Sequence, residues 1–140
     1  PWTYAVVNLG HVLGITVFFG AVLVLDLRLL GAWRRVPLAH VASVTTPSMV
    51  VGLLVALMTG VALLVTKATD YISNPFIYVK FPAIVVGLLN AALLLRTRAW
   101  RAVPLRDLEP REERQLAAMA GVSLASWTTA VAAGRLVGYW

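Results

Sequence analysis

Few residues in this sequence have side chains suited to catalysis or cofactor binding, and most of them interrupt or border long apolar runs. His11, Lys80 and Asn90 each interrupt such a run, and Met58 lies within another. An imidazole and a thioether can ligate haem iron, whereas an amine and an amide can hydrogen-bond the carbonyl oxygens of a quinone. The chemistry that these four residues suggest is therefore binding of haem b or of a quinone.

The apolar runs that carry these residues are long enough to cross a membrane. Hydrophobic residues make up 60% of the 140 residues and charged residues 13%, against roughly 45–50% and about 25% in soluble proteins. A spanning helix needs about 20 apolar residues. Four segments qualify, at about residues 4–25, 47–66, 76–95 and 116–136. The sequence predicts an all-α integral membrane protein, one four-span domain with a polar loop over about residues 96–115.

Two of the span boundaries carry additional signals. The first span is predicted to continue helically as far as Gly31. For the second, Thr46 is suited to the N-cap and Pro47 to the first turn, where its missing N–H costs nothing. We therefore expect the second membrane helix to begin at Pro47.

The basic residues are distributed unevenly around these spans. Nine of the twelve lie between spans one and two or between spans three and four. The positive-inside rule makes those two loops cytoplasmic and places both termini on the outer side. The same rule accounts for the formal charge of +6, so we expect a lipid bilayer as partner and no nucleic acid.

Haem ligation by one chain is limited by the positions of the histidines. The only other histidine, His40, lies in a cytoplasmic segment nearly a full membrane away from His11, which excludes a bis-histidine site within one chain. His11 and Met58 both lie roughly 10–15 Å from the outer ends of their spans, at 1.5 Å per residue, so a His–Met pair remains open. The alternatives are a neutral imidazole hydrogen-bonded to a neighbouring helix and a methionine that fills the core.

The stretch VLVLDLRLLG at the end of span one holds Asp26 and Arg28. Residues two apart on a helix point about 200° away from each other, so these two do not form a private ion pair. The span length places both at the cytoplasmic border, where Arg28 can reach lipid headgroups. Asp26 belongs to a stripe that should face the bundle and contains His11, Gly14, Ile15, Phe18 and Val22.

An aspartate that faces the bundle should meet a cation from another helix end. Arg96, Arg98 and Arg114 are the candidates, because all three border the cytoplasmic ends of spans three and four. We therefore expect Asp26→Asn to destabilise the bundle and Arg28→Lys to be tolerated.

Span four carries small residues at four-residue intervals, namely Ala117, Gly121, Ala125, Thr129 and Ala133. Small residues let helix backbones approach each other within lipid. This row is expected either to pack inside the bundle or to contact another subunit, which would make the protein a homo-oligomer or a part of a larger membrane complex.

Several of these residues together resemble a known family. They are His11, Gly20, the string DLRLLG from Asp26 to Gly31, Thr59-Gly60, Tyr71, Asn74-Pro75-Phe76, Lys80 and Asn90. The chain resembles a family of small bacterial four-helix inner-membrane proteins of unknown function, with DLRLLG as the most specific mark. The resemblance implies a location in the bacterial cytoplasmic membrane but no activity, and the outer side assigned to the termini by the charge distribution is then the periplasm.

The sequence favours a structural role over catalysis. It has no cysteine, which excludes thiol catalysis and thiolate metal sites, and it shows no hydrolase, phosphate-loop or metal-binding motif. We expect a non-enzymatic accessory or assembly subunit that packs against itself or a larger membrane complex. The alternative is a haem- or quinone-linked electron-transfer module using His11, Met58, Lys80 and Asn90. A proton path through His11 and Asp26 would have few polar residues to line it.

Overall fold

The computed structural model describes residues 2–137, at residues 69 and 70 through the backbone alone. All regular structure in this range is helical, in the order α1 (Trp2–Leu30), α2 (Leu38–Thr66), α3 (Ala68–Ile72), α4 (Ile77–Arg96), α5 (Arg98–Ala102) and α6 (Pro110–Val137). Helices α1, α2, α4 and α6 are long and apolar enough to cross a membrane. The prediction of an all-α chain with four membrane-length helices is thus confirmed.

The predicted start of the second membrane helix at Pro47, with Thr46 as its cap, is wrong. α2 begins at Leu38, so Pro47 lies inside the helix. A proline within a helix removes one backbone hydrogen bond. The hydroxyl groups of Thr45 and Ser48 donate to carbonyls one turn earlier, at 2.8 and 2.9 Å, and such side-chain bonds help a helix tolerate proline within a membrane.

The helices pack in the order α2, α1, α6, α4, with each helix in contact with the next. The closest approach is between α1 and α2, at Gly14 and Gly52. A Cβ atom on Gly52 would lie 2.5 Å from the backbone nitrogen of Phe18, and one on Gly14 would lie 2.8 Å from that of Ala56. Since side chains do not tolerate such separations, the two glycines set the distance between these helices.

The centre of the bundle is built around Trp127 of α6. Its ring meets Phe18 of α1 edge to face, with centroids 4.7 Å apart and an interplanar angle of 80°, a favourable geometry for two aromatic rings. On the α4 side, a Cβ atom on Gly87 would lie 2.6 Å from Cε2 of Trp127. The indole therefore fills a space that exists because residue 87 has no side chain. The predicted inward stripe of α1 is confirmed, because Gly14, Phe18, Val22 and Asp26 are buried and His11 and Ile15 are half-buried.

The first turn of α6 is fixed by a local network. Pro110 opens the helix, and Glu112 accepts from the backbone N–H of Glu109 at 3.0 Å, as in a capping box. The two carboxylate oxygens of Glu112 also accept from Arg106, at 2.7 and 2.9 Å. This hydrogen-bonded pair raises the pKa of the Arg106 guanidinium and ties the loop before α6 to the helix.

The opposite end of the bundle is joined by Asn74, which is buried in the turn between α3 and α4. Its side-chain amide donates to the carbonyl of Val137 at 3.0 Å, and its side-chain oxygen accepts from the N–H of Phe76 at 3.0 Å. One residue therefore holds the start of α4 against the end of α6.

Candidate functional site

His11 forms a hydrogen bond between α1 and α2. Its Nδ1 lies 2.9 Å from the carbonyl oxygen of Ala56 and 3.0 Å from Oγ1 of Thr59. The Thr59 hydroxyl itself donates to the carbonyl of Val55 at 2.6 Å. Because both neighbours of Nδ1 then act as acceptors, Nδ1 carries a proton, and in the neutral ring the lone pair is on Nε2. Gly60 makes room for the ring, since a Cβ there would lie 3.1 Å from Cε1 of His11.

Met58 does not lie beside His11. The α2 residues that surround the imidazole are Ala56, Thr59 and Gly60, and Met58 lies about 200° around the helix from Ala56, at about 100° per residue. Its side chain is 73% exposed on the outer face of α2. The His–Met pair that a single-chain haem site would need is therefore not formed.

Lys80 and Asn90 both contact α6, and Lys80 also lies near enough to His11 for its charge to act on the imidazole. The Asn90 side chain donates to the carbonyl of Met119 at 2.9 Å, which gives this polar group a partner on a neighbouring helix. The end of the Lys80 side chain lies against Gly134, with Nζ 3.4 Å from the position of a Cβ there. Each of these polar residues thus joins neighbouring helices. The structure places Lys80 near His11 but does not bring Met58 or Asn90 to them.

Asp26 is buried between α1 and α6, with 4% of its surface exposed. The Ser123 hydroxyl lies beside its carboxyl group, while Oδ2 is buried and has no hydrogen-bond partner in the described part of the chain. An unpaired polar atom in such a place is costly.

The expected arginine partner of Asp26 is not found, and this prediction is wrong. Among residues 2–137 the described ion pair lies elsewhere, in the loop before α6. Depth explains the difference: Asp26 faces Ser123, which follows Arg114 by nine residues, or about 13 Å along α6 at 1.5 Å per residue. Arg96 and Arg98 flank the end of α4, which packs against α6 and not beside this part of α1.

Because no described arginine pairs with Asp26, we now expect Asp26→Asn to leave the free energy of unfolding unchanged or to raise it by about 1 kcal/mol. The substitution removes an ionisable group from the interior, and the remaining amide oxygen can still accept from Ser123. Thermal unfolding in detergent at pH 8 measures the effect, with Asp107→Asn in the exposed loop as the control. A decrease of 1 kcal/mol or more for Asp26→Asn alone would mean that the carboxylate has a cationic partner after all.

The other half of the DLRLLG string shapes the loop after α1. Nε of Arg28 donates to the carbonyl of Val36 at 2.9 Å. Gly31 has φ = +121°, a conformation that other residues rarely adopt. The Arg34 guanidinium packs over the same glycine, 3.4 Å from the position of a Cβ. A side chain at residue 31 would therefore be strained and would also crowd Arg34.

These loop residues form one wall of a cavity that sequence reasoning missed. Its volume is about 580 Å³, and it lies where α1 ends and α6 begins. We call this side of the molecule the arginine-rich end, because the cavity is lined by Arg28, Arg34, Arg106 and Arg114. The signal was present in the sequence, since the arginines occur in two loops that a four-span topology places at the same end.

The small residues of α6 do not share one environment. Ala133 is buried in the bundle, whereas Ala125 and Thr129 are exposed. Around Gly121 no described side chain or neighbouring backbone lies within 4 Å of an added Cβ. The predicted row therefore does not form a single packed contact.

The exposed face of α6 differs from those of the other long helices. It consists of Ala118, Val122, Ala125, Thr129 and Ala132, which we call the α6 outer face. Exposed valine and leucine side chains are numerous on α1, α2 and α4, but α6 has only Val122 and Leu136 among the large exposed apolar residues of its described part.

Comparison with known proteins gives a family but no activity. No curated protein and no solved structure matches the chain. One family model matches residues 3–140, which include almost all of α1 and the whole of α2, α4 and α6. The chain belongs to this family, the family of unknown function DUF6644.

Proposed function

We propose that this chain is a non-enzymatic, multi-pass subunit of the bacterial cytoplasmic membrane that packs through the α6 outer face against another membrane protein. The partner is a second copy of the chain or a larger complex. The observation that carries the proposal is that the exposed residues on α6 are small, whereas those on α2 and α4 include many large aliphatic residues.

Physical chemistry favours a protein neighbour over lipid at this face. Helices associate within lipid by van der Waals contact, and small residues at the surface let a second backbone approach closely. The close contacts inside the bundle already use Gly14, Gly52 and Gly87. The α6 outer face is therefore not needed for internal packing, and α6 is also the least apolar of the four membrane-length helices.

The orientation belongs to the same proposal. The arginine-rich end faces the cytoplasm and both termini face the periplasm, as the excess of arginine in the two loops supports. Labelling of a single cysteine at Arg111 by a membrane-impermeant maleimide tests this orientation. Reaction in inside-out vesicles but not in intact cells is expected, and the reverse pattern would contradict it.

Ala125→Leu is expected to lower the association constant about 5- to 150-fold, because a larger side chain separates the two backbones at a cost of about 1–3 kcal/mol. Ala91→Leu, at an exposed alanine of α4, is the matched control and should leave assembly unchanged. Mass measurement in nanodiscs reads out both variants. A wild-type chain that is strictly monomeric at 15.1 kDa, with no co-purifying partner, would contradict the proposal.

A second candidate function rests on Nε2 of His11. Its lone pair is available because Nδ1–H is held by the carbonyl of Ala56, the arrangement in which histidines commonly ligate metals. A haem b there would need a second ligand from outside the chain or would be five-coordinate, and a quinol could instead donate to Nε2. The absorption spectrum and a quinone extract of the purified protein test this candidate. If the wild-type protein shows neither a Soret band nor an extractable quinone that is lost in His11→Gln, this candidate function has no support.

A further inference from the structure

We propose that the cavity at the arginine-rich end binds the phosphodiester headgroup of an anionic phospholipid. The cavity has a volume of about 580 Å³, within the range of sites that hold small molecules. It lies at the ends of membrane-length helices, where lipid headgroups are found. This inference involves residues distinct from the α6 outer face and goes beyond the proposed function.

The cationic side chains around the cavity are not neutralised equally. Arg106 is paired with Glu112 through two hydrogen bonds. Within the described residues, Arg28, Arg34 and Arg114 form no ion pair, although Asp107 and Glu113 also line the cavity. Three guanidinium groups therefore surround one space without a bound carboxylate, an arrangement that an anion would stabilise.

Two of these guanidinium groups, those of Arg28 and Arg34, are also held in position. Arg28 uses Nε to bind the carbonyl of Val36, so its two terminal amino groups remain available. Arg34 packs over Gly31, whose positive φ brings the loop around. Guanidinium groups bind phosphate oxygens in pairs of parallel hydrogen bonds. Two guanidinium groups in defined positions thus favour a phosphate group over loosely associated counterions.

The remaining wall of the cavity is apolar, which distinguishes a lipid from a free phosphate. It is contributed by Leu29, Leu30, Leu38, Val103, Leu108 and Leu116. A charged mouth above an apolar wall suits a molecule with a phosphate and acyl chains, and basic pockets between membrane helices are known to bind such headgroups. Inorganic phosphate would leave the apolar wall unused.

Native mass spectrometry of the full chain with phosphatidylglycerol and phosphatidylcholine tests the assignment. We expect one phosphatidylglycerol to bind per chain in preference to phosphatidylcholine. The double variant Arg34→Gln with Arg114→Gln should weaken this binding about 30-fold, from about 1 kcal/mol for each charge. Arg35→Gln with Arg111→Gln is the matched control, because these exposed arginines neighbour the same loop and helix turn but do not line the cavity. It should change binding less than about threefold.

Three outcomes would overturn the proposal. The first is equal binding of the two lipids, and the second is an equal loss in both double variants, which would indicate general attraction by net charge. The third is displacement of phosphatidylglycerol by millimolar inorganic phosphate, which would assign the site to a soluble phosphate ligand. A thermal-unfolding curve of each variant in phosphatidylcholine verifies that a variant with weaker binding is still folded. Because neither double variant alters the α6 outer face, loss of lipid binding and loss of assembly can be told apart.

Discussion

Gly52→Ala should lower the free energy of unfolding by about 3 kcal/mol, because overpacking a closely packed site costs about 1–3 kcal/mol and here the obstruction is backbone. The added methyl group would lie 2.5 Å from the Phe18 nitrogen and 2.9 Å from the Gly14 carbonyl oxygen. Neither atom can rotate away, so α1 and α2 must separate. That separation would also lengthen the hydrogen bond between His11 and Ala56. Unfolding by sodium dodecyl sulfate in mixed micelles measures the change.

Gly20→Ala is the matched control for this substitution. Gly20 lies on α1 with no described side chain or neighbouring backbone within 4 Å of an added Cβ. Alanine is the better helix former by up to about 1 kcal/mol, so the control should be neutral or stabilising. A similar loss of stability in both variants would mean that the effect of Gly52→Ala does not come from the close approach of α1 and α2.

Trp127→Ala should cost about 3 kcal/mol or more, since it leaves a cavity where α6 meets Phe18 of α1 and Gly87 of α4. The indole is buried and contacts Phe18 edge to face, whereas Trp2, at 85% exposure, provides the control substitution Trp2→Ala. Thermal unfolding in detergent compares the two. Equal losses would show that the aromatic cluster does not organise the bundle.

The same site offers a test of coupling through Gly87. In the wild-type chain, Gly87→Ala should be strongly destabilising because the new Cβ would lie 2.6 Å from the indole. Once Trp127 is replaced by alanine, the space is free and Gly87→Ala should cost almost nothing. A double-mutant cycle measures this difference as an interaction energy. Additive effects of the two changes would contradict direct contact between the indole and residue 87.

The main features of the fold could be predicted from the sequence because they depend on local composition. Run length fixes which helices can cross a membrane, and the periodicity of α1 identifies its buried stripe from Gly14 to Asp26. The start of α2 could not be read in the same way. Pro47 is suited to a first turn, but it is also tolerated inside a membrane helix, where neighbouring groups can compensate for the backbone hydrogen bond that proline removes.

Features that depend on how α6 is rotated were predicted less well. Residues four apart advance by about 400° around a helix, so a row at this spacing drifts by about 40° at each step. Over the four steps from Ala117 to Ala133 the drift reaches about 160°, which explains why Ala125 is exposed while Ala133 is buried. The partner of Asp26 depends on the same rotation and on the depth of α6. The contacts of Trp127 with Phe18 and Gly87 fix the rotation and the depth of α6. No sequence pattern within one helix reveals these contacts.

Crosslinking from a single cysteine can show whether the α6 outer face contacts another protein within the membrane. The chain has no cysteine of its own, so Ala125→Cys can carry a short thiol-attached photocrosslinker in native membranes, with Ala91→Cys on α4 as the control. We expect a discrete crosslinked protein product from Ala125→Cys and only lipid adducts from Ala91→Cys. Lipid adducts alone from both positions, or equal protein products from both, would contradict it.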